Sequence, residues 1–434
     1  MEKEIVLGIG KGTDSCSVPA ARVIFDLHGK PARTLDDMAT ATLAAIRKPL
    51  GTRPLREIVK AGESVSIIVS DITRLCGTDK FLPVIVGELN AVGIPDEAIT
   101  VVVATGTHRA HTPAEDATVL GAEMAQRLRI IQHDCRDTAN LVSVGTNKFC
   151  NEVRLNRAIV EADRVILTGA VTLHPMAGFG GGRKAVVPGV AARETIMANH
   201  KNAVAFEVGG GCNPMCDAGI LQGNPFNEDM VDGCSLLQPD FLVNTVFTPD
   251  NELYEVVAGH WYEAWKQGCD DLLELAGAGI KEQADVVFAS AGGFPKDISL
   301  YQGFKAIFNS VFALKKGGIM IVALDSPEVE EPKIFMDQLR RQDMLAFEQE
   351  LRDEFDMASF VAFKAHNIID NNTIYLVTRP ENAASVRSIV MVPCSSLAEA
   401  WTKAQAQLAE EGKKDYSIGV IGHACNTLPC LESK

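Results

Sequence analysis

The 434-residue chain has no apolar run approaching the ~20 residues needed to cross a bilayer. This removes a membrane-spanning role and any membrane partner. The opening stretch Met1-Glu2-Lys3-Glu4-Ile5-Val6-Leu7-Gly8 lacks both a basic region and a long apolar segment, so it reads as a first strand rather than an export signal. A cytoplasmic protein is expected. A basic excess is also missing: 41 Lys and Arg stand against 56 Asp and Glu, a formal net charge of −15. That excludes a nucleic-acid surface, which needs a basic face against the phosphate backbone. It leaves room for a small anionic substrate held by a few local cations. Cysteine is plentiful, at eleven residues, but the paired C-x2-C spacing of a zinc site is absent. Cys212 and Cys216 form a C-x3-C pair, and Cys425 and Cys430 lie near the end of the chain. Without an export signal these read as reduced, mostly buried thiols. Internal repeats and low-complexity tracts are lacking as well.

What is present is an α/β pattern. Short apolar, β-branched runs recur at Val65–Ser70, Ile99–Ala104, Val165–Thr168, Val286–Ala289, Ile319–Ala323, Ile374–Val377 and Ile418–Ile421. Runs apolar on both faces suit strands buried in a parallel sheet. Helical patterns at Phe81–Leu89, Ala114–Leu128, about Ala191–Asn199 and about His260–Ala276 lie between them. The length suits two or three domains. The expected organisation is two α/β domains with mostly parallel sheets and an interdomain active-site cleft. Residues 1–276 would form the N-terminal cofactor-binding and catalytic domain, with a break in Gly277-Ala278-Gly279. Residues 277–395 would form the second domain, and 396–434 a segment returning to the first.

Ligands of open α/β sheets bind beyond the carboxyl ends of the strands, so the residues following each strand are the candidates. The first run is followed by Asp71-Ile72-Thr73-Arg74. Arg offers a planar fork for a carboxylate and Asp71 could orient it, although a helix-capping Asp beside a surface Arg explains the same residues. The second is followed by Thr105-Gly106-Thr107-His108-Arg109-Ala110-His111, with two imidazoles able to act as acid or base near neutral pH. The third leads through His174 into Gly178-Phe179-Gly180-Gly181-Gly182-Arg183-Lys184, a glycine-dense loop that lets backbone amides approach an anion. It is neither a Walker A loop, since Arg183 intervenes and Ala185 replaces the hydroxyl residue, nor a G-x-G-x-x-G fingerprint. His200 ends the next helix, where it complements the dipole or ligates a metal. After Val286–Ala289, a Gly-rich turn opens a helix on which Tyr301, Gln302 and Lys305 share a face.

Taken in order and spacing across roughly residues 5 to 305, Asp71-x-Thr73-Arg74, Thr107-His108-Arg109, His174 with Gly180-Gly181-Gly182-Arg183-Lys184 through Pro188-Gly189, His200, and Tyr301-Gln302-x-x-Lys305 resemble the nickel-dependent lactate racemase family. The resemblance implies a racemase or epimerase of a 2-hydroxy acid, lactate or a relative. It also implies a nickel-pincer nucleotide, a pyridinium-3-thioamide-5-thiocarboxylate mononucleotide carrying nickel. By the match, Lys184 holds this cofactor covalently and His200 ligates the metal. Gly180, Gly181, Gly182, Arg183 and Asp71 belong to the cofactor site, and His108 and His174 are the acid/base pair. Arg74, Tyr301, Gln302 and Lys305 bind substrate. Transient contact with cofactor-making proteins is implied too.

The chemistry suits this assignment. The α-proton of a carboxylate is barely acidic, and reversible hydride transfer avoids the carbanion. One imidazole for each enantiomer serves the hydroxyl proton, and imidazole suits nickel in a mixed sulfur and nitrogen set. The sequence departs from the family at Leu75-Cys76, where a proline tends to follow the arginine. It departs again at a second-domain tryptophan, whose nearest counterpart is Phe360. These positions bear on the pocket wall, so lactate itself is open and larger or more polar 2-hydroxy acids enter. Two other readings compete. A metal-free phosphate- or nucleotide-binding enzyme would use the Gly-rich loop, but the Walker hydroxyl is missing. A non-catalytic nickel or cofactor carrier would need Lys184 and His200 but not both His108 and His174.

Overall fold

The runs of Val, Ile and Leu that read as strands do form the middle of two parallel sheets. The computed structural model describes residues 1–28, 32–248 and 251–432. Each sheet belongs to one of two compact units. One comprises Ala32–Ala203 and Pro214–Leu275, the other Met1–Pro31, Val204–Asn213 and Ala276–Lys434.

In the first of these, hereafter the first unit, six strands lie in the order Leu253–Gly259, Phe241–Phe247, Arg164–Val171, Val65–Ser70, Ile99–Ala104 and Arg129–Gln132. All neighbours are parallel except the Leu253–Gly259 edge strand. The central strands are apolar on both faces because helices cover both. Helix Thr78–Asn90 supplies Phe81, Leu82, Ile85, Val86 and Leu89 to the core. The helix expected over 114–128 is two, Pro113–Leu120 and Ala122–Arg127, because Gly121 between them adopts a φ of 83° that ends a helix. The chain leaves Val65–Ser70 toward one edge of the sheet and later returns to its other side as Arg164–Val171. The strand order therefore reverses between these two strands, which is where doubly wound sheets bind ligands.

The second unit carries a wholly parallel sheet in the order Val392–Cys394, Thr373–Val377, Leu314–Ala323, Ala284–Ser290, Ile418–Ile421 and Val23–Leu27. An N-terminal hairpin, Glu2–Ile9 with Gly12–Pro19, contributes Ile5, Leu7, Cys16 and Val18 to this sheet's core.

The structure divides the chain differently from the expected 1–276, 277–395 and 396–434. One unit ends at Leu275 and the other resumes at Ala276. However, the first 31 residues belong with the C-terminal unit, because Val23–Leu27 is its edge strand. The last segment also stays in that unit, through Ile418–Ile421 beside Ala284–Ser290 and Leu428–Leu431 beside Gly277–Ile280. Periodicity identifies a strand but not its neighbours, so these distant pairings left no mark in the local sequence.

Candidate active site

Three loops gather at the carboxyl ends of the central strands of the first unit. The first two share an acid. Asp71 follows Val65–Ser70, and its Oδ1 accepts the Thr73 amide at 3.1 Å and the Thr73 hydroxyl at 2.6 Å. Its Oδ2 meets His108 Nδ1 at 2.5 Å, His108 standing in the loop after Ile99–Ala104. Burial pushes the Asp71 carboxyl up, but the hydrogen bonds from His108 and Thr73, with the Arg74 charge nearby, outweigh it and hold the carboxyl below the usual range. An ionised Asp71 fixes the proton of a neutral His108 on Nδ1, leaving the Nε2 lone pair as a base on a half-exposed ring. Asp71, expected at the cofactor, therefore pairs with His108 and caps the Ile72–Arg74 turn. Arg109 points elsewhere, forming an exposed two-pronged pair with Glu115.

The third loop is buried and packed. Gly180, Gly181 and Gly182 are closed in by protein: a Cβ on Gly181 would lie 2.6 Å from Asn244 Oδ1, and one on Gly182 2.4 Å from the Trp265 ring. Arg183, expected at the nucleotide, is instead fully buried. Its guanidinium stacks over Trp265 at 4.0 Å and donates to the carbonyls of Ala177 (2.8 Å) and Phe179 (2.9 Å) and to Asn227 Oδ1 (3.0 Å). Those bonds draw the loop around the guanidinium, so Arg183 shapes the loop rather than reaching a ligand. Lys184 follows with its amine pushed well below the ordinary lysine range by burial, then by the charges of Arg74 and Arg183. The second and third loops are tied together where the Gly106 amide donates to Gly189 O at 3.0 Å. A side chain on Gly189 would collide with Ala185 O at 2.2 Å, so this close approach requires glycine.

His174 is buried, and its Nδ1 accepts the amides of Met176 (3.2 Å) and Ala177 (3.1 Å). A neutral ring so held carries its proton on Nε2. Burial, then Lys184, Arg74, Arg183 and His200, push its pKa well below that of free imidazole. His200, at the end of helix Arg193–His200, donates from Nδ1 to Ile196 O at 2.7 Å, which puts its lone pair on Nε2. Burial and Lys184 push it down to about 4, with the Ile196 bond opposing.

Helix Pro225–Leu237 escaped the sequence reading, although it organises this site. Asn224 caps it and ties it to the loop through Met176 O at 2.8 Å. The Phe226 ring lies 6.5 Å from that of His174 and 5.1 Å from that of His200. Asn227 holds Arg183. Asp229 is buried and accepts from Asn147, Asn151 and Asn202. The available signal was Asn224-Pro225, a cap residue followed by proline at the first helical position. Asn244, whose Oδ1 accepts the Gly182 amide at 2.8 Å, had no comparable signal.

Tyr301, Gln302 and Lys305 belong to the other unit, on helix Leu300–Ser310 capped by Ser299. Lys305 Nζ donates to Gln302 Oε1 at 3.0 Å and Tyr301 packs edge-on against Phe335. Phe360 is buried against Phe355 at 5.3 Å, so it is a core residue.

The chain is similar to proteins already characterised. The sequence model of the lactate racemase N-terminal domain matches residues 9–209, and that of the C-terminal domain matches residues 280–426. The lactate racemase of Thermoanaerobacterium thermosaccharolyticum is 27% identical over 421 residues, covering 94% of this chain and 96% of that protein. The lactate racemase of Lactiplantibacillus plantarum is 30% identical over 307 residues, 68% of this chain and 70% of that protein. The T. thermosaccharolyticum lactate racemase apoprotein superposes with a TM-score of 0.83 at 26% identity, covering 99% of this chain and all of that one. A Thermotoga maritima protein shares the fold at 18% identity with a TM-score of 0.60. On its two domain matches, its sequence relatives and its architecture, the chain belongs to the lactate racemase family of enzymes.

Proposed function

We propose that the protein interconverts the C2 stereoisomers of a 2-hydroxy acid, lactate or a close relative, by reversible hydride transfer to a nickel-pincer nucleotide attached at Lys184. The observation carrying this reading is the cluster of Lys184, His174, His200 and Arg74, close enough for their charges to act on one another.

The residues fit that cofactor. A lysine held below its ordinary pKa is an amine able to form a covalent link rather than an ammonium. With Nδ1 donating to Ile196 O, His200 carries its lone pair on Nε2, the tautomer a metal ligand needs. Among the described residues, no three His, Cys, Asp or Glu side chains come together as a metal site. A single histidine suits a metal that brings most of its ligands with it. The nearby cations suit an anionic nucleotide and a carboxylate substrate. When bound, the cofactor supplies a hydride acceptor.

The chain's own groups handle the rest. His108, with its proton fixed on Nδ1 by Asp71, receives the substrate hydroxyl proton at Nε2. His174 serves the opposite enantiomer in the same way, its proton moving from Nε2 to Nδ1 so that Nε2 receives the hydroxyl proton. Arg74 holds the substrate carboxylate. Burial of His174 and Lys184 keeps water from the transient 2-keto acid.

The test uses a single enantiomer deuterated at C2, in ordinary water, with protein co-produced with the cofactor-making enzymes. The reading expects both enantiomers with the label retained, because the hydride returns to the carbon it left. Label lost to solvent would mean proton abstraction and overturn it. So would no conversion of any 2-hydroxy acid while a control racemase loads normally.

A further inference from the structure

The loop that carries His108 has a second histidine, His111, for which the proposed chemistry has no use. Its side chain is 1% exposed and both ring nitrogens are engaged. Nε2 accepts the Ile72 amide at 2.9 Å. Nδ1 therefore carries the proton and donates to Asp116 Oδ1 at 3.0 Å. Asp116 is held in turn. Gln132 Nε2 donates to the same oxygen at 2.8 Å, and Gln132 Oε1 accepts the His111 backbone amide at 3.1 Å. His111, Asp116 and Gln132 thus form a closed ring of hydrogen bonds linking the loop to helix Pro113–Leu120 and strand Arg129–Gln132. That helix begins with a reciprocal capping box between Thr112 and Glu115, which anchors Asp116 one residue later.

The amide that His111 accepts belongs to Ile72, between Asp71 and the Thr73–Arg74 pair. The Asp71–Arg74 turn is otherwise exposed at Thr73 and Arg74. An amide at this position could instead bond to water, which would leave Asp71 free to turn away from His108. Binding it to an imidazole that a carboxylate already orients fixes the turn relative to the 105–111 loop. We infer that His111 is a positioning residue for proton transfer: through the Ile72 amide it aligns Asp71 with His108. This rests on the proposed role of His108 as base, while the alignment itself is testable in the apoprotein. A polar path Asp116–His111–Ile72–Asp71–His108 results, each link a hydrogen bond or one covalent step. A buried network of this kind is rigid only when every member is satisfied.

The test compares His111→Leu, His111→Gln and Asp116→Ala with the parent. In the apoprotein, proton NMR reads the far-downfield Nδ1 proton of His108, assigned by its absence in His108→Gln. H111L is expected to move it upfield or broaden it, D116A to do so less, and H111Q, whose carboxamide oxygen can replace Nε2, to restore it. In the loaded enzyme, 2-keto acid is measured in a single turnover from each enantiomer. H111L is expected to slow the enantiomer deprotonated by His108 by roughly 10- to 100-fold, the usual cost of losing an orienting partner. The other enantiomer, the nickel content and the Lys184 adduct should be unchanged. If H111L only lowers the melting temperature, leaving the His108 proton and both single-turnover rates at parent values, His111 is a core histidine and the inference is wrong. Should H111L fail to fold, parent values for the same proton and rates in D116A overturn the inference equally. If H108Q itself leaves single-turnover rates intact, the base assignment fails instead, and the NMR arm still decides the alignment.

Discussion

His108 and His174 both stand at the carboxyl end of one parallel sheet, yet their surroundings are opposite. His108 is half-exposed, and its Nδ1 proton goes to the ionised Asp71. His174 is buried, its Nδ1 takes two backbone amides, and its charged neighbours are cations. A carboxylate partner stabilises the imidazolium that forms when a base takes a proton, whereas amides and cations oppose it. The resting ring therefore offers a lone pair at Nε2 in one loop and an N–H at Nε2 in the other.

The comparison can be broken in several ways, the largest effect first. Lys184→Ala should remove the covalent link and with it all interconversion, measured by chiral chromatography. Residual turnover above a mock preparation would mean that attachment there is not required. Next, H108Q and H174Q should each reduce steady-state racemisation by about 10²- to 10⁴-fold. Because enantiomers have equal free energy, kcat/KM must fall equally in both directions, so steady-state rates cannot tell the two histidines apart. Single-turnover 2-keto acid formation can, and each variant should keep the rate for one enantiomer and lose the other. Loss of both in either variant would contradict separate roles.

Asp71→Asn should then cost roughly 10- to 100-fold in the His108-dependent turnover alone, since it removes the orienting charge and leaves His174 untouched. Equal loss for both enantiomers would place Asp71 at a shared step.

The smallest effect is on stability. The folded-state pKa of His200, about 4, lies below the ~6.5 of an unfolded imidazole. The unfolded chain therefore takes up the proton first. Apoprotein stability holds above about pH 6.5 and falls as the pH drops toward 4, by up to about 3 kcal/mol from this residue. His200→Gln should flatten that slope in denaturant titrations, and an unchanged slope would show the ring is not held neutral by its surroundings.

Much of this was legible in the sequence. The strand runs and the residues following them are local features, and Asp71, Arg74, His108, His174, Lys184 and His200 do converge at the reversal in strand order. Roles that depend on where a side chain turns were not legible. Arg183 reads as a phosphate ligand beside glycines, but a cation surrounded by loop carbonyls and stacked on Trp265, 82 positions away in sequence, is invisible until the chain folds. Asp71 reads as a partner for Arg74, three residues on, while its true partner comes from the next strand's loop. The helix beginning at Asn224 offered only a capping signal, because Phe226 and Asn227 look like ordinary helical residues. The N-terminal strand of the second sheet was misplaced for a related reason, since a parallel neighbour nearly 400 residues away leaves no local trace.

The central claim is that Lys184 carries a nickel-bearing nucleotide with His200 as the protein's ligand. Its most direct test is peptide mass spectrometry with nickel analysis on protein co-produced with the cofactor-making enzymes. The account predicts an adduct confined to the peptide containing Lys184 and about one nickel per chain, with the nickel lost and the adduct kept in H200A. An unmodified Lys184 peptide and no bound nickel, when a control racemase loads normally in the same cells, would contradict it.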